Sequence, residues 1–441
     1  MGRTGVAVVF ALALGACFTK PERFGDRSDA GTDDSGIDGT GSCTAMSATC
    51  VTANVLETCA GAGASPEVAT CSWGCTVTGT TRCLRIAPLG GGVAATDLDP
   101  SPDLLDATLA GVIDGSTGEI SGFAARMPGT GVHAGIGYAV QGGVAVFRFK
   151  SLVISGTLEL RGTNAIALVA DGPITINAVI DGTIACSMTA ARGAGGSAGG
   201  VPGAPASGNG AGAAGTAQSH GGGGGGHGLV GGNGGAMNGT APAGGAAFAF
   251  TALRGGGGGG GGNNTTGPGG AGGGGGAALQ IVSNATITVG AAGGINAGGC
   301  GGRGTSSGSP GGGGGAGGVI VIEARDVTIA GSLAVNGGGG GAGDVDGGHG
   351  EHGLLDRDIA SGGSAMTGIG NGGGGGFGIA SPATTLQGQP GAGSSRSGGG
   401  GGGIGRIRIN TESGNVTVTG LMSPAFADAG TTATKSSLVV Q

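Results

Sequence analysis

The chain has 441 residues, enough for two or three ordinary domains, and 119 of them are glycine, about 27% against a usual ~7%. Fifteen prolines and glycine in long runs exclude a collagen repeat, which needs glycine at every third place. A hydrophobic share of 38%, a charged share of 10% and a net charge of −7 fit poorly with a wholly disordered chain, because disorder pairs low hydrophobicity with high net charge. The acidic balance and the lack of basic patches interleaved with aromatics exclude nucleic acid as a partner.

Residues 1–17 join Arg3 to an apolar run from Val6 to Leu14 and then small residues, the pattern of an export signal too short to cross a bilayer as a helix. Leu14-Gly15-Ala16-Cys17 resembles the bacterial lipobox. That resemblance implies lipidation of Cys17 and anchoring in the outer membrane or at the cell surface, for which the acyl chains suffice. Residues 18–42 hold six acids and three bases without apolar periodicity and read as a flexible tether.

Six cysteines follow in 43–83: Cys43, Cys50, Cys59, Cys71, Cys75 and Cys83. In an exported chain an even count at this density reads as a disulfide module with fifteen possible connectivities. Zinc is the weaker use, since the segment has no histidine and no Cys-x-x-Cys pair. The spacing resembles small cysteine modules that follow the lipobox in surface proteins of myxobacterial type, which implies a rigid spacer or a small binding knob, the spacer being preferred. Residues 84–142 have ordinary composition and read as a β-rich cap.

Residues 143–425 carry a repeat of an apolar strand, a turn and an apolar-Thr-apolar triplet. The triplets are Ile174-Thr175-Ile176, Ala285-Thr286-Ile287, Val327-Thr328-Ile329 and Val416-Thr417-Val418, with Val153 at the threonine place of a fifth unit. Apolar residues alternate with outward positions such as Glu323, Arg406 and Arg408, as in strands with one buried face. The expected fold is all-β: a parallel β-helix or solenoid with long Gly-rich insertions, preceded by the disulfide module and followed by a tail over 426–441. From Gly193 to Gly405, 87 of 213 residues are glycine. Two readings of these runs stand: mobile coil, favoured by glycine's large ordering entropy, and side-by-side helices of polyproline-II type, favoured by close backbone approach.

The densest ligand set is Asp344, Asp346, His349, Glu351 and His352, which suits a divalent metal if a loop wraps the ion. The alternative is a polar loop tip, with no cofactor. A β-helix polysaccharide lyase or hydrolase would require paired carboxylates and sugar-stacking aromatics. The repeats show no paired-Asp constellation, and the one Trp and one Tyr lie outside them. Altogether the chain resembles Gly-rich bacterial outer-membrane lipoproteins of the myxobacterial type, and PGRS surface proteins in composition only. The resemblance implies a non-enzymatic structural, adhesion or display role, with the membrane, surface glycans or other envelope proteins as partners.

Overall fold

A computed structural model describes residues 43 and 45–441 except 184, 185, 187–191, 266, 307, 367–369, 377–385 and 390–395. The signal segment, Cys17 and the 18–42 tether lie outside the described residues. The described chain divides into a small unit, within 43–48 and 57–68, and a large one, 49–56 with 69–441.

The cysteine segment contains β1 (Ser47–Thr52), β2 (Val55–Cys59), β3 (Glu67–Thr70), β4 (Cys75–Thr76) and β5 (Arg82–Cys83). All six cysteines pair, as Cys43–Cys59, Cys50–Cys75 and Cys71–Cys83. The second half of the segment does more than space. Trp73 donates Nε1–H to Asn284 Oδ1 at 3.2 Å, and the Arg325 guanidinium lies 4.9 Å from the centre of its ring, so this part is docked on the repeats within the large unit.

The strands β6 (Asp106–Asp114), β7 (Ile120–Phe123), β8 (Gly131–His133) and β9 (Ile136–Gln141) precede the repeats. Arg126 holds this region together. Its side chain is buried, 1% exposed, and donates to the carbonyls of Ile136, Gly118, Met127, Gly129 and Gly131 at 2.6–3.1 Å. It also lies 5.2 Å from the Tyr138 ring centre. Burial lowers its pKa, but the five carbonyl dipoles solvate the cation in place of water. Arg126→Met, which strips the donors from these carbonyls, is expected to cost about 3 kcal/mol or more, read as a fall in the urea midpoint. Arg126→Lys recovers only part of this, because an ammonium has three donors to the guanidinium's five. An unchanged midpoint in the methionine variant would contradict this role.

The repeats begin with β10 (Val144–Phe149) and the long β11 (Ser151–Arg161), then β12 (Ala165–Ala170), β13 (Ile174–Ile176) and β14 (Val179–Asp181). They continue with β15 (Ala278–Ser283), β16 (Thr286–Val289), β17 (Gly294–Asn296), β18 (Val319–Glu323), β19 (Asp326–Ile329) and β20 (Ser332–Ala334). The last are β21 (Arg406–Thr411), β22 (Thr417–Val418), β23 (Leu421–Ser423) and β24 (Ala433–Ser437). The protein is therefore all-β. Its strands form three parallel ladders: β10-β12-β15-β18-β21-β24, then β11-β13-β16-β19-β22, then β11-β14-β17-β20-β23. The two halves of β11, broken by a register shift between Ile154 and Leu158, start the second and third ladders, and β6 runs parallel along both.

Like residues stack on like residues across each ladder. Leu168, Ile281, Ile322 and Ile409 form one column, Ile176, Val289 and Ile329 another, and Ile180, Ile295 and Leu333 a third. All belong to a single apolar core, where each such side chain contributes about 1.5–3 kcal/mol on burial.

Three expectations are corrected. The second triplet is Ile287-Thr288-Val289, two residues later than the spacing indicated, since Thr175 pairs with Thr288 and Thr288 with Thr328. A slip of two leaves every side chain on the same face, so the alternation could not discriminate. The first ladder is buried on both faces, not one: β12, β15 and β18 have no exposed position. Its outer face is covered by Ile86, Val93 and Leu98 together with Phe250 and Leu253. Glu323, expected outside, is consequently 1% exposed. Finally, residues 426–441 are not a free tail, because β24 extends the first ladder beside β21 and Val440 bridges Ile86.

Candidate functional site

Each long glycine-rich excursion leaves after a strand of the third ladder and returns to a strand of the first: 182–277 links β14 to β15, 297–318 links β17 to β18, and 335–405 links β20 to β21. All three therefore leave the third ladder and enter the first, and their runs lie side by side. The described parts are hydrogen-bonded to one another, and the packed reading of the glycine runs holds in place of the mobile one.

Residues 220–228 show the pattern. Gly222 and Gly225 donate to Gly311 and Gly314, Gly223 and Gly226 to Ala213 and Gly210, and Gly221 and Gly224 to Gly235 and Gly232, at 2.8–3.0 Å. In the other direction Gly400 and Gly403 donate to the carbonyls of Gly222 and Gly225, Gly260 and Gly257 to those of Gly223 and Gly226, and Gly245 to that of Gly224. Every third residue meets the same neighbouring run. This is the three-residue turn of a polyproline-II helix, here with its polar backbone groups paired to neighbouring chains instead of water. A Cβ on Gly222, Gly223, Gly224 or Gly225 would fall on the carbonyl oxygen of Gly260, Ala243, Gly401 or Gly257. Four consecutive positions thus admit no side chain.

The runs turn at an edge remote from the strands, where Asn263 N–H bonds His220 O, Ser397 bonds Ser219, Asp344 bonds Ser309, Gly347 bonds Thr305 and Gln389 bonds Asn371. Side chains return at these turns. Thr216, Gln218, Asn238, Thr240, Asn264, Thr265, Val345 and Met366 are exposed there. The surface they make is polar with isolated apolar points, and the Asp346 carboxylate is exposed beside Val345.

The five candidate metal ligands lie on this edge and the adjoining run but are not gathered. His349 and His352, one three-residue turn apart, accept N–H bonds at Nδ1 from Gly304 and Gly301, each at 3.0 Å. Glu351 faces the opposite neighbour and accepts from Ser361 N–H at 2.8 Å. Asp344 is buried, whereas Asp346 is exposed. Among the described residues no group of three or more His, Cys, Asp or Glu is placed to hold a metal ion. Burial, and after it the nearby Arg303 cation, lowers the pKa of both histidines, which favours their neutral, hydrogen-bond-accepting form.

The chain matches no protein family model, no curated protein and no solved structure. What the edge does must be read from its own chemistry.

Two further groups escaped sequence reasoning. Glu323 sits under the 84–99 segment, where it accepts from Leu89 N–H at 3.1 Å, Gln280 Nε2 at 2.7 Å and Asn410 Nδ2 at 3.0 Å. Burial raises its pKa, and the hydrogen bonds from Asn410, Gln280 and Leu89 oppose the rise. His227, buried at the strand end of the bundle, donates Nδ1–H to the carbonyls of Gly317 and Gly318, both at 3.0 Å, with its ring 4.7 Å from that of Phe248. Burial lowers its pKa from 6.5 to about 4. Between those two values the unfolded chain binds a proton that the folded chain refuses, so stability falls as pH drops from about 6.5 to about 4. The loss is about 3 kcal/mol. Urea midpoints measured from pH 7 to pH 4 are expected to show this decline and to show it diminished in His227→Gln, whose amide keeps a donor. Parallel pH profiles for the two proteins would exclude His227 as its source.

Proposed function

We propose that the three ladders are the faces of a parallel β-helix and that the protein is a lipid-anchored cell-surface protein whose glycine bundle displays its outer turns for adhesion, without catalysis. One observation carries this reading. Along the glycine runs an added Cβ would meet neighbouring backbone, while exposed polar side chains recur at the turns between runs. A scaffold whose runs resist substitution while its turns can vary suits contact with other surfaces, through many weak polar contacts rather than one deep pocket. Four disulfides support an oxidising location, and the Leu14-Gly15-Ala16-Cys17 motif supports the anchor.

The test compares the wild type with a variant carrying Gln218→Ala, Thr240→Ala, Asn264→Ala, Thr265→Ala and Met366→Ser, each protein coated on beads at equal density. Adhesion to bacterial cells and to immobilised envelope glycans is expected to fall at least about tenfold through lost multivalency, with the circular dichroism unchanged. Equal adhesion of the two proteins sinks the display reading. The anchor is tested separately. Cys17→Ser is expected to leave the membrane fraction, and persistence there, together with no acyl mass on the wild type, would refute lipidation.

A further inference from the structure

The outer face of the first ladder changes character at its last strands. On β21, Ile407 and Ile409 point into the core, so Arg406 and Arg408 project to the other side, where Val319 and Val321 stand opposite them on β18. The aliphatic face of the earlier strands is replaced by two guanidinium groups, with Thr434 of β24 opposite Arg408. Together with Thr432 and Phe250 they line a hollow of about 100 Å³.

Both cations are held in place by neutral groups. Arg406 donates from Nη2 to Phe248 O at 2.8 Å, and its Nε is buried without a hydrogen-bond partner. Arg408 donates from Nε to Asn410 Oδ1 at 3.2 Å and from Nη2 to Ser436 Oγ at 3.1 Å. Among the described residues neither forms an ion pair. The carboxylate that senses Arg408 is Glu323, which is already engaged by Leu89, Gln280 and Asn410. Thr432 spends its hydroxyl proton on Gly405 O, leaving oxygen lone pairs only, whereas the Thr434 hydroxyl is exposed. In a chain of net charge −7, two neighbouring guanidiniums opposed by the single Glu323 carboxylate that acts on Arg408 leave a local excess of positive charge in a partly desolvated hollow.

We propose that this hollow is an oxyanion site that takes a phosphate or sulfate group between the Arg406 and Arg408 guanidiniums, with the Thr434 hydroxyl as a third donor. Planar guanidinium forks match the spacing of oxygens on such groups, and partial burial strengthens the attraction over that of exposed cations. The site lies on the first ladder, away from the bundle's outer turns, and stands or falls independently of the adhesion reading.

Calorimetric titration of the disulfide-bonded full chain with inorganic phosphate and with sodium sulfate, each against sodium chloride of equal ionic strength, tests the site. Saturable binding is expected, weakened about tenfold or more in Arg408→Gln and by less in Thr434→Val. Unchanged melting temperatures without anion verify that these variants fold. Arg406→Gln is informative as well, but its contact with Phe248 makes the other two the decisive variants. A parallel sedimentation assay uses phosphatidylglycerol vesicles, with phosphatidylcholine vesicles as the control. Sedimentation that phosphate suppresses identifies a lipid headgroup as the source of the anion, and free-anion binding without sedimentation identifies a soluble one. Absence of saturable binding beyond the chloride control, or equal affinity in Arg408→Gln, overturns the proposal.

Discussion

Gly224→Val is expected to prevent assembly of the glycine bundle, while Gly61→Ala is expected to leave stability within about 0.5 kcal/mol of wild type. The Cβ of residue 224 would fall on the carbonyl oxygen of Gly401, with the Gly400 carbonyl close behind. Both are backbone atoms of a run that is hydrogen-bonded to its own neighbours, Gly400 to Gly222 and Gly401 to Leu386. Neither can rotate away as a side chain would, so the whole run must shift and break bonds along its length. Overpacking of an ordinary core costs about 1–3 kcal/mol; here lost backbone hydrogen bonds add to that, at about 1 kcal/mol each. At Gly61 no atom lies within 4 Å of the added carbon, so the pair separates close packing from glycine's general effect on chain entropy. Equal urea midpoints for the two variants would mean that residues 220–228 are not enclosed.

Loss of the Cys186–Cys300 disulfide is the second large effect. The bond spans 114 residues and ties the start of the first excursion to the second, where Cys300 N–H also bonds Gly274 O and Cys186 O accepts from Arg303. Closing a loop of that length restricts the unfolded chain by about 4–5 kcal/mol in the chain-entropy account. The double change Cys186→Ala with Cys300→Ala is expected to lower the denaturant midpoint accordingly and to open the bundle to trypsin at Arg303 before the ladders unfold. A midpoint equal to wild type would contradict this, and would indicate that backbone hydrogen bonds alone restrain the excursions.

How much of this was legible in the sequence depends on whether side chains carry the information. The repeats were, because columns such as Ile176, Val289 and Ile329 need apolar residues at matching places. The register of the second triplet was not, since a slip of two preserves the alternation. Burial of Glu323 was invisible because it depends on residues 84–99, more than two hundred positions away, lying over the first ladder. The cysteine pairs could not be selected from fifteen connectivities by spacing, and nothing local marks Cys186 and Cys300 as partners.

The glycine bundle was the least legible part. Its contacts join amides to carbonyls, which every residue possesses, so the identity of each neighbour leaves no trace beyond the demand for glycine. What the composition did reveal was where side chains were forbidden, and hence, by contrast, the turns where they return. Arg126 illustrates the same limit: its five partners are all carbonyls, and no complementary acid in the sequence pointed to it.

Amide hydrogen exchange on the folded, oxidised chain directly distinguishes a hydrogen-bonded glycine bundle from loose loops. Amides of 221–226, 256–262, 311–318 and 398–405, apart from Gly258 and Ile404, are donors to neighbouring runs, and exchange by opening events that approach global unfolding. The expected result is protection of these segments comparable to that of β12, β15 and β18, persisting for hours at neutral pH. Complete exchange of the glycine runs within the first seconds, with the three strands still protected, would contradict the account.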